Sequence, residues 1–415
     1  MPCRPKGEQG EPAALPMRIA LYHNLLSGGA KRSLLELVRR LSERHRIDVI
    51  SLTTAEHDFA DVRPYVATHE IVEFRPTPVF ASPFGRLNPA SRLLDLMRLD
   101  ALGRGLARRI RGGAYDLLFA QPCRFENSPS ILYHLRGLPS VFYCQEPLRL
   151  VYEQMPSRPY HNKASGLRRA LDGIDPLPRT FRRALRARDR RNIRSAGRVL
   201  VNSEFVRVAV RRIYGLDASV SRLGVDTDLF HPQPSRRDGA LLSVGSLTPL
   251  KGFDFLIRTL GRLPDGVRPL LRIICNFQNP PERAFLEQLA REHGVRLEIR
   301  VGVADEALVS AYNEAAFTVY APIGEPFGLV PLESMACATP VVAVREGGIP
   351  ETVVHGLVGL LADREEGRFS EAVRQLLSDS RRAEDYGQNA RAHVIREWTW
   401  DRAVANLESH LASCT

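Results

Sequence analysis

Lysine is nearly missing from this 415-residue chain: Lys6, Lys31, Lys163 and Lys251 are the only ones, and arginine carries the formal net charge of +11. Such a balance makes positive charge available to phosphate, to nucleic acid or to an anionic membrane surface. The charge is uneven, with eleven arginines in residues 168–198 against the acids Asp172, Asp175 and Asp189. Arginine is abundant everywhere in the chain, so this stretch reads first as a solvated helical face. Contact with an acceptor or a membrane surface ranks second, and a nucleic-acid site last.

Other scarcities exclude further classes. The cysteines Cys3, Cys123, Cys144, Cys275, Cys337 and Cys414 are scattered, with neither metal-like nor redox spacing. Structural disulfides are not expected, and a reduced, cytoplasmic setting is. No run reaches the roughly 18 apolar residues that a membrane span requires. The nearest approach, TVVHGLVGLLA, is short and contains His355. The opening MPCRPKGEQGEPAALP has no apolar core, so residues 1–16 are expected to be a disordered leader rather than a secretion signal.

What is present is a repeated strand–loop–helix order. Residues 17–21 and 48–52 are strand candidates, separated by the loop YHNLLSGGAKR and a helical pattern through Leu34, Leu37, Val38 and Leu41. Residues 115–119, 141–144 and 197–201 continue the same sheet, and Ser203 is placed to cap the helix that follows. Residues 156–178, rich in Pro, Gly and Arg, resist assignment. Residues 223–240 are polar and broken by Pro and Gly, a natural boundary. A second cycle then supplies ALLSV, LRIIC, LEIR, FTVYA and PVVAV as strands, and the chain beyond residue 370 is helical by pattern. The expectation is two doubly wound α/β domains, Rossmann-like, facing across a cleft. Their expected bounds are 17–222 and 241–385, with 223–240 as linker and 386–415 as a terminal helical segment packing back on the first domain.

The segment EPFGLVPLE joins the last-but-one strand to a helix and places two carboxylates, Glu325 and Glu333, eight positions apart. Its turn offers free backbone N–H groups to a phosphate, and the acids can hold hydroxyls, a combination suited to a sugar nucleotide. In the loop Gly245-Ser246-Leu247-Thr248-Pro249-Leu250-Lys251-Gly252, Lys251 stands at a helix start, where the dipole gives it nothing and an anionic partner would. This is no Walker loop, because the glycine spacing is wrong. Gly28 and Gly29 follow the first strand and permit close approach of a ligand. The loop Arg345-Glu346-Gly347-Gly348-Ile349-Pro350-Glu351 pairs glycines with another helix start and is expected over the same ligand. His23 reads as a loop hydrogen-bonding residue, and Trp398 and Trp400 as anchors of the terminal helix.

Taken together, EPFGLVPLESMACATPVVAVREGGIPE, VGSLTPLKGFDFL, NSEFV…YG, GVDTDLF and WTWDRA resemble a family 4 glycosyltransferase of the GT-B fold, over residues 17–411. The resemblance implies a retaining, metal-independent transfer from a nucleotide sugar (UDP-, GDP- or ADP-linked) with no further cofactor. The expected acceptor is a glycan, a lipid-linked saccharide or a small molecule. It implies Glu325 and Lys251 as catalytic residues and Glu333 as holder of the donor ribose. Ser246, Gly28, Gly29, Phe327, Gly328, Leu329 and Val330 complete the implied donor site. Gln145, Glu146 and Arg345 are further candidates for contact with sugar or acceptor.

Three departures stand out. Family members commonly carry an arginine where this chain has Ser246, which removes one diphosphate cation, and Arg345 is the candidate substitute. A histidine common in related enzymes is replaced by Gln145, which cannot carry a proton at neutral pH. Ala338 replaces a frequent glycine. The alternatives are a catalytically weak sugar-nucleotide-binding scaffold, a sugar-nucleotide epimerase or phosphorylase, and peripheral attachment to the inner membrane face through residues 168–198.

Overall fold

The computed structural model describes residues 15–80, 84–162 and 176–415. The expected leader, apart from its last two residues, and residues 168–175 of the basic stretch lie outside the described residues. The first half holds β1 (Arg18–Asn24), α1 (Gly29–Leu41), β2 (Arg46–Leu52), β3 (Thr68–Val72), α2 (Asn88–Gly112), β4 (Leu117–Cys123) and the single turn α3 (Ile131–His134). Then come β5 (Ser140–Cys144), the short α4 (Arg149–Tyr152), α5 (Pro176–Ile193), β6 (Arg198–Val201), α6 (Glu204–Tyr214) and β7 (Ser219–Val220). The strands form one seven-stranded parallel sheet in the order β3-β2-β1-β4-β5-β6-β7.

The second half begins with β8 (Leu241–Val244), α7 (Phe253–Gly261), β9 (Leu271–Cys275), α8 (Pro280–Glu292), β10 (Leu297–Val301), α9 (Asp305–Glu314) and β11 (Phe317–Tyr320). It continues with α10 (Leu329–Ala336), β12 (Val341–Val344), α11 (Ile349–Thr352) and β13 (Gly359–Ala362), then α12 (Glu366–Ser378), α13 (Ser380–Glu397) and α14 (Trp400–Ala412). Its six-stranded parallel sheet runs β10-β9-β8-β11-β12-β13. Both sheets are covered on both faces, which is why their inner strands are near-continuous apolar runs. In β1, Ile19 and Leu21 pack toward α1, while Ala20 and Tyr22 enter the separate core under α2 and α3.

The last helix belongs to the second half by sequence but lies on the first sheet's side. Arg44 reaches Glu408 at 2.9 Å, and the Arg198 guanidinium donates to the Ser413 hydroxyl at 2.7 Å. Trp398 and Trp400 are buried at this crossing. The backbone N–H of Val225 donates to the Trp398 carbonyl at 2.9 Å, and Val225 pairs with Thr399 as an isolated parallel bridge.

Ala338 occupies the left-handed region at φ +52° in the turn after α10. An L-residue there is strained by about 1–2 kcal/mol. Ala338→Gly is therefore expected to stabilise the protein by about 1 kcal/mol after glycine's entropic cost, read as a raised denaturant midpoint at unchanged m-value.

Candidate active site

A cavity of about 460 Å³ lies between the two sheets, walled by loops that leave the carboxyl ends of their strands. This is where open parallel sheets place their ligands, because the strand ends and helix starts leave backbone groups free there. From the first half come the β1–α1 loop with Gly28 and Gly29, and the β5–α4 loop with Gln145, Glu146 and Arg149. The second half supplies Ser246 and Lys251 after β8, and Glu325 through Val330 together with Glu333 around the start of α10.

The charged centre is tight. The Lys251 ammonium donates to Glu325 Oε2 at 2.9 Å, and both side chains are largely withdrawn from solvent. Burial alone would raise the Glu325 carboxyl. The Lys251 charge, Arg149 and the Tyr320 hydroxyl outweigh it and hold that carboxyl below the usual carboxylate range. Arg149 pairs with Glu146 at 2.6 Å and reaches across the cleft to donate to the carbonyls of Ile323, at 2.8 Å, and Gly324. Two cations and two carboxylates thus meet at one end of the cavity.

Glu333 is buried on α10, where the Tyr312 hydroxyl donates to its Oε2 at 2.8 Å. Burial pushes its carboxyl up, against the pull of the nearby Arg32 guanidinium and the Tyr312 hydroxyl. Arg32, on α1, makes a two-point ion pair with Asp305 at the start of α9, with distances of 2.6 and 3.2 Å. That pair bridges the two halves beside Glu333.

Other ties close the cleft. A Cβ built on Gly29 would stand 3.3 Å from Leu329 Cδ1, so the first glycine loop already faces the head of α10. Ser203 caps α6, accepting from the Val206 N–H at 3.1 Å, and its hydroxyl donates to the Pro326 carbonyl at 2.6 Å. The Glu351 carboxylate accepts from the backbone N–H groups of Glu204 and Phe205, each at 2.9 Å. An acid of one half thereby completes a helix start of the other. Phe327 turns away from solvent, its ring 5.6 Å from that of Trp398.

Most of the residues singled out from sequence converge here, but Arg345 does not. Its guanidinium donates to the Leu361 carbonyl at 3.0 Å, beyond the cavity lining, because β12 and β13 pair at that point and draw it to the far side of the loop. The expectation that it replaces the missing diphosphate cation is corrected. The loop of Gly347 and Gly348 likewise does not cover the cavity. It buttresses the Glu325–Pro326 backbone: Gly348 N–H donates to the Glu325 carbonyl at 2.8 Å, and a Cβ on Gly347 would fall 2.3 Å from that same oxygen. His23 is fully buried, stacks on His69 with centroids 6.4 Å apart, and among the described residues has no hydrogen-bond partner on either ring nitrogen, whereas a loop bond was expected of it.

Gln145 lines the cavity, with its Nε2 3.5 Å from Gln121 Oε1. Burial pushes the neighbouring Cys144 thiol up, which disfavours its thiolate. Sequence reasoning missed Arg149, Arg32, Asp305, Tyr312 and Tyr320. Arg149 had one available signal: it follows the Gln145-Glu146 pair on the loop already marked. Among the described residues, no group of three or more His, Cys, Asp or Glu side chains is arranged to hold a metal ion. Among them, too, no helix is long and apolar enough to cross a membrane.

A cleft between two parallel sheets, with an acid–lysine pair and a buried acid on one side and a glycine loop on the other, defines a GT-B glycosyltransferase architecture. Residues 27–229 match the model described as Glycosyltransferase Family 4, and residues 226–393 match Glycosyl transferases group 1. The chain belongs to the family 4 type of glycosyltransferases. It is 33% identical over 234 residues to D-inositol 3-phosphate glycosyltransferase 2 of Catenulispora acidiphila, covering 51% of this chain and 55% of that protein. It is 33% identical over 239 residues to the alpha-maltose-1-phosphate synthase of Mycobacterium tuberculosis, covering 50% of this chain and 60% of that protein. These matches span little more than half the length of the relatives. A match to D-inositol 3-phosphate glycosyltransferase of Nocardiopsis dassonvillei is 27% identical and covers 98% of this chain and 96% of that protein. Among solved structures, a sucrose-phosphate synthase from Thermosynechococcus elongatus superposes with a TM-score of 0.71 at 18% identity, covering 96% of this chain and 98% of that one. The Anabaena protein HepE in complex with UDP and glucose gives a TM-score of 0.68 at 20% identity, covering 96% of this chain and all of that one. These two likenesses establish the fold.

Proposed function

We propose that the protein transfers a hexosyl-type group from a nucleotide sugar to a glycan, lipid-linked saccharide or small-molecule acceptor, with retention at the anomeric carbon and without a metal ion. The observation that carries this reading is the meeting of the Lys251–Glu325 pair with buried Glu333 in one cleft faced by Gly28 and Gly29. Glu333 holds the ribose hydroxyls, Lys251 neutralises the diphosphate, and the backbone N–H groups at the start of α10 complete the anion site. Glu325, kept ionised by its neighbours, accepts from the sugar hydroxyls and stabilises positive charge developing at the anomeric carbon.

In this reading the bond from that carbon to the phosphate oxygen breaks while the acceptor oxygen bonds to the same face. The acceptor proton passes to the departing phosphate, so no protein nucleophile is needed. The cross-cleft ties exclude water, which favours transfer over hydrolysis. The acceptor enters from the first half, beside Gln145 and Glu146. The protein works in the cytoplasm in this proposal, and the outer arginines of α5 offer a contact for the inner membrane face.

A panel of UDP-, GDP- and ADP-sugars, read by mass spectrometry with and without EDTA, tests this. Turnover of one donor at an undiminished rate in EDTA, with retained configuration, is the expected result. Loss of activity on chelation, or inverted product, would overturn the mechanism. Tight nucleotide binding without turnover would favour the scaffold alternative.

A further inference from the structure

The loop after β8 presents Lys251 as a cation, but at the position where a second one is expected it carries Ser246, whose hydroxyl points to Asn276 Oδ1 at 3.4 Å. A diphosphate held by one ammonium leaves much of its charge uncompensated. The cavity does contain another cation at this end, contributed by the opposite half. Arg149 lies against the Ile323–Gly324 backbone, largely shielded from water, and its terminal nitrogens donate to the neutral carbonyls of those two residues. The Arg149 Nε donates to the Glu146 carboxylate at 2.6 Å.

We infer that Arg149 is the second cation of the donor diphosphate site, supplied by the first domain in place of the one Ser246 cannot provide. A guanidinium suits the role, because its planar fork can keep one bond to a loop carbonyl while another nitrogen donates to a phosphate oxygen. This inference rests on the reading of the cleft as a sugar-nucleotide site. It also makes diphosphate binding depend on closure, since half of the cationic clamp lies on each side.

The chain just beyond Arg149 is built to keep that arginine in place. Arg158 is buried on the second half, where it bonds Glu282 at 3.0 Å and Asp254 at 3.0 Å, with its guanidinium 5.1 Å from the centroid of the Phe285 ring. Tyr160 adds a 2.6 Å bond to the same Glu282. Asp254 and Glu282 stand in the first turns of α7 and α8, the two helices that follow the β8 and β9 loops of the cavity. Arg158 is therefore a positioning residue: it fastens the segment that carries Arg149 to the half that binds the nucleotide.

Calorimetric titration with UDP, GDP and ADP, and with the matching monophosphates, tests the assignment. If the wild type binds none of these diphosphates, the sugar-nucleotide reading itself fails. If it binds one, Arg149→Met is expected to weaken that diphosphate about tenfold to a hundredfold and the monophosphate far less. Adding Ser246→Arg to Arg149→Met restores the diphosphate affinity. Arg158→Met gives a smaller loss, together with faster backbone hydrogen exchange in residues 249–256. Thermal melts of each variant, with Arg149→Lys as the conservative control, separate a folding defect from a lost contact. Unchanged diphosphate affinity in a folded Arg149→Met variant overturns the assignment, as does a loss that Ser246→Arg fails to restore.

Discussion

Glu325→Gln is expected to lower the rate of sugar transfer about a hundredfold to a thousandfold while leaving nucleoside diphosphate affinity nearly unchanged. The amide keeps the size and much of the hydrogen bonding of the carboxylate but removes its charge. In the native cleft that charge is secured by Lys251 at 2.9 Å and by Arg149 and Tyr320 nearby. Without it, the carboxylate proposed to stabilise positive charge forming at the anomeric carbon is gone. Lys251, meanwhile, loses its protein counter-ion and becomes freer for phosphate, so diphosphate binding should hold or tighten slightly. Single-turnover rates measured beside diphosphate titrations distinguish the two effects. Equal losses in both would assign Glu325 to ground-state binding instead.

The second large effect is expected at Glu333. If Glu333 holds the ribose as proposed, Glu333→Ala removes two charge-assisted hydrogen bonds, each worth about 1.5–3 kcal/mol, so donor affinity should fall at least a hundredfold. The rate at saturating donor should change far less. The variant also leaves the Tyr312 hydroxyl without its acceptor in a buried site, which costs about 1–3 kcal/mol of stability. Glu333→Gln retains that partner and is the cleaner test. Because burial raises the Glu333 carboxyl, donor binding should weaken on acidification sooner than an ordinary carboxylate would allow. Hydroxyls need the ionised form as acceptor, so affinity is full above the raised pKa and lost as pH falls through it. A donor affinity that is flat between neutral and mildly acidic pH would contradict this.

The parts of the molecule legible in sequence are those whose cause is local. Strands β1, β2, β4, β5 and β6 stand out because burial on both faces makes them apolar runs. Ser203 was readable as a cap because its neighbours form a helix with an evident apolar side. Strand β3, THEIV, escaped notice because it is an edge strand with only partial burial, and β7 because it is two residues long. Strand β13 was hidden inside the apolar run TVVHGLVGLLA.

The same division holds at the cleft. Glu325, Glu333 and Lys251 sit in short loops whose glycines and helix starts announce them. Arg149 and Arg32 look like any other arginine in an arginine-rich chain, and only folding brings them to the cavity. Arg345 shows the converse: it follows a strand in the right place by count, yet pairing of β12 with β13 carries its side chain away. Position along the chain fixes the loop, but not the direction in which a long side chain leaves it.

The bridge between Val225 and Thr399 has a mechanical meaning. The backbone passes between the two halves before β8 and again before α14, and at the bridge those two passages are bonded side by side. This single bridge holds the two passages in register at one point. Trp398, at that same joint, presses its ring against Phe327 at the root of the Glu325 loop. The joint and the loop that carries Glu325 thus share a wall, so a change at the crossing between the halves is transmitted through Trp398 to the base of that loop.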